Sequence, residues 1–83
     1  MYKILLHPKV VKFLDKLSQN LRIHIKKKLS NLMENPFHYL EHYAGEDYYK
    51  LRIGDYRALI DIDFKKKLII VRVLDHRKKI YKR

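Results

Sequence analysis

The chain has no cysteine, and only two glycines and two prolines among its 83 residues. Without thiols it has no disulfide, no thiolate metal site and no cysteine nucleophile, a usage that fits a reducing compartment. Repeats, linkers and low-complexity segments are absent too, so residues 1–83 are read as a single small domain. No apolar segment approaches the ~20 residues needed to cross a bilayer. The N-terminal run 2–6 is too short for a secretion signal and meets His7-Pro8 at once. Acidic residues are also scarce: nine Asp and Glu stand against twenty Lys and Arg, a net charge of +11. The expectation is a basic domain of the cytoplasm, not of the membrane, with an anionic partner. Charge alone does not choose between nucleic acid, an anionic lipid surface and an acidic protein.

What is present is ample for a core, since 47% of residues are hydrophobic. Residues 2–6 read as a short strand. Pro8 suits the first turn of a helix, where its missing N–H costs nothing. Val10, Val11, Leu14, Leu17 and Leu21 then follow helical spacing, with a break at Ser18-Gln19-Asn20. A second helix carries Ile25, Leu29, Leu32 and Met33 on one side and Lys26, Lys27 and Lys28 largely on the other, and Asn35-Pro36 ends it. Residues 37–47 read as an irregular loop that includes at most a helical turn. Strands follow at about 48–53, 56–63 and 68–74. The last is apolar at nearly every position except Arg72, as expected of a strand covered on both faces. The predicted fold is α+β: an N-terminal strand and a two-helix hairpin packed on one face of a mainly antiparallel four-stranded sheet, in the order β-α-α-β-β-β.

The stretch 48–57, YYKLRIGDYR, is the most informative. Leu51 and Ile53 alternate with Lys50 and Arg52, Gly54-Asp55 is a two-residue hairpin signal, and alternation resumes from Tyr56. A two-residue hairpin sets Ile53 opposite Tyr56 and Arg52 opposite Arg57, with Lys50 one diagonal away on the same face. Like charges opposite one another destabilise an antiparallel pair. At ~5 Å two unit charges repel by ~1 kcal/mol in bulk water and ~3 kcal/mol at an effective dielectric near 20. Either the guanidinium groups splay into solvent, or an anion normally sits between them. A phosphodiester suits two planar guanidinium groups and an ammonium. Leu51, Ile53, Tyr56, Ala58, Ile60 and Ile62 are assigned to the helix-covered face, which leaves Lys50, Arg52, Arg57 and Arg72 on the open one.

The hairpin and the tail together resemble the RelE toxins of the RelE/ParE toxin–antitoxin superfamily. The residues that carry the likeness are Tyr49-Lys50-Leu51-Arg52-Ile53, Gly54-Asp55-Tyr56-Arg57, and Val73-Leu74-Asp75-His76-Arg77-Lys78-Lys79-Ile80-Tyr81. HPKVVKFLDKL and IKKKLSNLMENP look like that family's helical hairpin. Members are endoribonucleases that enter the ribosomal A site, cut messenger RNA and are held inactive by an antitoxin. The resemblance implies Lys50 as general base for the ribose 2′-hydroxyl, Arg52 as a phosphate contact at a position that is often lysine, and Arg57 as the stabiliser of transition-state charge. It implies Arg77 for the leaving group or phosphate, and Tyr81 for stacking on a nucleotide.

The implied chemistry is attack of a 2′-hydroxyl on the adjacent phosphate, with no cofactor and no metal. Positioning and electrostatics would supply most of the barrier reduction, because a lysine amine with an ordinary pKa of ~10.4 is a poor base near neutrality. The implied partners are a RelB-like acidic antitoxin, the ribosome and mRNA. A ParE-like toxin that inhibits DNA gyrase by contact, without nuclease activity, is the alternative; a basic binding module without catalysis is a third. His76 is either an extra acid or base near the RNA or a histidine packed in the tail. Lys26, Lys27 and Lys28 are either RNA phosphate contacts or a solvated helix face. His38 and His42 lack a third ligand and read as loop histidines.

Overall fold

The computed structural model describes residues 1–42, 45 and 47–76. The elements are β1 (Lys3–Leu6), α1 (Pro8–Asp15), α2 (Gln19–Ser30), a 3₁₀ turn at Asn31–Met33, α3 (Pro36–Tyr39), β2 (Glu41–His42), β3 (Tyr49–Ile53), β4 (Tyr56–Asp63) and β5 (Leu68–His76). Pro8 opens α1, and the Nδ1 of His7 accepts from the amide of Lys9 at 3.1 Å. Ser18 caps α2, its hydroxyl accepting from the amide of Leu21 at 3.3 Å. Both devices satisfy amides that the first helical turn leaves without a partner.

The strands form one sheet in the order β1-β5-β4-β3-β2. Among the described residues only β1 and β5 run parallel, from Lys3 opposite Leu68 to Leu6 opposite Val71. The α+β class and the element order hold. The sheet has five strands rather than four, because Glu41–His42 leaves the expected loop to pair antiparallel with Lys50 and Tyr49. Val10 and Leu14 of α1 join Ile25 and Leu29 of α2, Leu32, and the inward residues Leu51, Ile53, Ala58, Ile60, Ile69, Val71 and Leu74 in one core. Among the described residues helices cover one sheet face only. Ile70 and Val73 on the other face are half-buried, so β5 is less enclosed than its apolar run implied.

Two local devices set which side chains share a face. Gly54 holds φ +57° in the β3–β4 turn, the left-handed region that a primed hairpin turn requires. A Cβ there would meet nothing within 4 Å, so substitution costs backbone strain alone. Gly54→Ala is expected to lower unfolding free energy by about 1–2 kcal/mol in urea titration; an unchanged midpoint would show that the turn does not hold the hairpin. The second device is a bulge in β5. Leu59 faces Val73 while Ile60 faces Val71, so Arg72 has no partner across the ladder. One extra residue reverses the alternation beyond it. Leu74 thereby turns into the core, and Asp75 turns to the face that carries Arg57.

Candidate functional site

The open face is organised in three rows across the strands, about 7 Å apart because alternate residues in a strand rise ~3.3 Å each. Arg52 of β3 lies directly opposite Arg57 of β4, and Arg57 lies opposite Asp75 of β5. The next row holds Glu41, Lys50, Leu59 and Val73. Beyond it Asp61 stands opposite Ile70, and Arg72 reaches back from the bulge to donate to the Asp61 carboxylate. The expected convergence of Lys50, Arg52 and Arg57 on one exposed face is what the register produces, and Arg72 joins them.

Carboxylates stand among these cations. Glu41 Oε2 lies 3.6 Å from the Lys50 ammonium. Asp75 is 8% exposed, and its Oδ1 accepts from the amide of His76 at 2.8 Å. An opposite charge at the same cross-strand spacing offsets on Arg57 a repulsion the size of that from Arg52. The row is therefore stable without a bound anion, yet it still carries an excess positive charge on Arg52, which is exposed and makes no ion pair among the described residues. A phosphate arriving here exchanges carboxylate partners for itself instead of filling an empty cationic hole.

Other expected residues lie elsewhere. Lys26, Lys27 and Lys28 are exposed on α2, whose Ile25 and Leu29 enter the core. They belong to the helix layer on the opposite side of the sheet. His76 faces Tyr56 across the ladder, their rings edge-on at 5.7 Å, and Tyr56 in turn meets Phe13 at 5.9 Å. Its side chain is thus on the helix side, away from Arg52 and Arg57. His38 lies in α3 with its ring against Tyr39, and His42 in β2 against Tyr49. Arg77 and Tyr81 lie outside the described residues.

Sequence reasoning missed the three acids. Asp61 was legible, since it alternates in phase with Arg57. Asp75 was not, because the bulge that turns it outward leaves no mark in the apolar run. Glu41 was hidden in a segment whose two-residue pairing has no periodicity to reveal it.

The sequence model for the ParE toxin of the type II toxin–antitoxin system parDE matches residues 4–80. No curated protein sequence matches. Among solved structures the chain is similar to the RelE of an archaeal RelE–RelB complex from Pyrococcus horikoshii OT3, with TM-score 0.77, 26% identity, and 92% of this chain and 94% of that one covered. It is similar to a chain of the RelB–RelE antitoxin–toxin complex of Methanococcus jannaschii at TM-score 0.72 and 28% identity, covering 94% and 95%. The intact E. coli RelBE complex gives TM-score 0.75 and 25% identity over 92% and 96%.

Proposed function

This chain belongs to the ParE toxin family of type II toxin–antitoxin systems, within the RelE/ParE superfamily, and from that premise we propose that it is a ribosome-dependent endoribonuclease that cuts translated mRNA in the A site. The observation that carries the reading is the register that sets Arg52 opposite Arg57 on an exposed sheet face, with Lys50 in the adjoining row. The likeness to RelE chains supports it further.

Arg57 and Arg52 hold the two non-bridging oxygens of a phosphodiester, a task suited to planar guanidinium forks. Lys50, in the fraction that has first released its ammonium proton to solvent, takes the proton of the 2′-hydroxyl as a free amine. The resulting alkoxide attacks phosphorus, the bond to the 5′-oxygen breaks, and that oxygen leaves with a proton; the products are a 2′,3′-cyclic phosphate and a free 5′-hydroxyl. Arg77 and Tyr81 are proposed for leaving-group protonation and nucleotide stacking, on the resemblance alone. Because the phosphate must compete with Glu41 and Asp75, the isolated domain grips RNA weakly. The ribosome then supplies the alignment that the toxin lacks.

The partner proposed to silence it is an acidic, RelB-like antitoxin, as the RelE–RelB complexes of its relatives suggest. Induction should stop growth and leave breaks in translated messages. Under the alternative reading, prompted by the ParE name of the family, DNA breaks would appear with messages intact. Lys50→Ala should abolish cutting while leaving binding of the ribosome.

Glu41→Gln tests the competition directly. Exposed ion pairs contribute about 0–1 kcal/mol, so removing this one should tighten binding of a short single-stranded RNA by up to about fivefold in fluorescence anisotropy at low salt. Weaker binding would show instead that Glu41 itself contacts RNA.

A further inference from the structure

At the β2–β3 edge, on the helix side of the sheet, rings gather that the cleavage scheme does not use. Phe37 of α3 stacks on Phe64 of the β4–β5 turn, with centroids 5.7 Å apart and planes 6° apart. Tyr49 meets Phe37 edge-on at 6.1 Å, and His42 meets Tyr49 edge-on at 5.2 Å. Phe37 is 52% exposed and Phe64 54%. Two phenylalanines are thus locked parallel, yet neither is buried.

The turn runs on from Phe64 into Lys65, Lys66 and Lys67, all exposed. Its shape is fixed: Asp63 Oδ1 accepts from the amide of Lys66 at 3.1 Å, and Lys67 holds φ 50°, in the left-handed region. A non-glycine residue there is uncommon. Three exposed lysines therefore follow directly on an exposed aromatic pair.

What covers such a surface must offer flat apolar faces and negative charge together. A second copy of a chain carrying +11 meets it with repulsion. Single-stranded RNA has both attributes, stacked bases on aromatic rings and phosphates on lysine. Resting on the nuclease reading above, we propose that Phe37 and Phe64, with Lys65, Lys66 and Lys67, form a second RNA contact. It stacks one or two bases of the strand that flanks the linkage held at Arg52 and Arg57. The strand reaches it around the β2 edge of the sheet. The contact is indifferent to base identity, because every base has a stackable face.

The test compares the full chain with Phe37→Leu/Phe64→Leu, which keeps apolar bulk but removes the rings. Binding to 2′-O-methyl oligouridylates of 4 and 20 nucleotides is read by fluorescence anisotropy, after circular dichroism and melting establish a common fold. The double variant should lose about tenfold or more in affinity for the 20-mer, the scale of a lost base stack, with no change for the 4-mer. Lys65→Gln/Lys66→Gln/Lys67→Gln should reduce the slope of log affinity against log salt by about two for the 20-mer. Arg52→Ala/Arg57→Ala should weaken both lengths. Unchanged 20-mer binding by the leucine variant, or equal loss at both lengths, overturns the second contact while leaving the nuclease reading in place. If wild type binds neither oligonucleotide, the second contact falls, while the nuclease reading is decided separately by cleavage of ribosome-bound message. Normal RNA binding by the leucine variant with weakened antitoxin binding would make the patch a protein dock and contradict the proposal.

Discussion

Arg57→Ala is expected to slow single-turnover cleavage of ribosome-bound message by about a hundred- to a thousand-fold, the usual cost of removing one preorganised donor to a transition-state oxyanion. The side chain is flanked by Arg52 on one strand and Asp75 on the other, and its Nε is enclosed. It is thus held more firmly than the exposed Arg52, and firmly held charge is what transition-state stabilisation requires. Arg52→Ala should accordingly cost less. Arg57→Ala also leaves the buried carboxylate of Asp75 facing no guanidinium, so some loss of stability is expected alongside the loss of rate. Arg57→Lys separates the two effects. It restores a cation opposite Asp75 but not the planar two-pronged donor, so stability should recover while most of the rate defect remains. Recovery of rate with the lysine would mean that point charge, not geometry, is what the position supplies.

Leu74→Ala is expected to remove about 2–5 kcal/mol of stability, because the bulge buries that side chain, whereas Arg72→Ala is expected to cost less than about 1 kcal/mol, as exposed ion pairs do. The bulge carries Leu74 inward and Asp75 outward. With Arg72 in the strand and no bulge, plain alternation would force a choice. Keeping Ile69 and Val71 in the core turns Asp75 toward the helices, and an unpaired buried charge costs about 3–5 kcal/mol. Keeping Leu74 inward instead expels Ile69 and Val71, both fully buried. A domain of this size has roughly 4–12 kcal/mol to lose in all. Urea titration of the two variants beside wild type checks it; a near-wild-type midpoint for Leu74→Ala would show that the strand does not turn this residue into the core and that the bulge does not set the site.

These two results bear on how much the sequence reveals. The hairpin was readable because three independent signals agree: alternation at Leu51 and Ile53, Gly54-Asp55, and alternation resumed from Tyr56. Their agreement predicts the Arg52–Arg57 pairing residue for residue. The helices were readable from apolar spacing, Pro8 and Ser18. The bulge was not, because β5 is apolar on both sides of Arg72 and either register looks acceptable until the partner strand is known. β2 was not, since a two-residue strand exists only through its pairing with β3. Those two unseen features bring Asp75 and Glu41 among the cations. The repulsion inferred from the hairpin alone was therefore only half of the electrostatics, and the carboxylates turn an apparent demand for an anion into an exchange of one anion for another.

The measurement that bears most directly on the cation face as the site of RNA scission is the chemistry of message ends in a translating extract supplied with wild-type toxin. Cleavage within the occupied A-site codon, leaving 2′,3′-cyclic phosphate upstream and 5′-hydroxyl downstream and lost in Arg57→Ala, is the predicted result. Intact messages accompanied by double-strand breaks in DNA would contradict it.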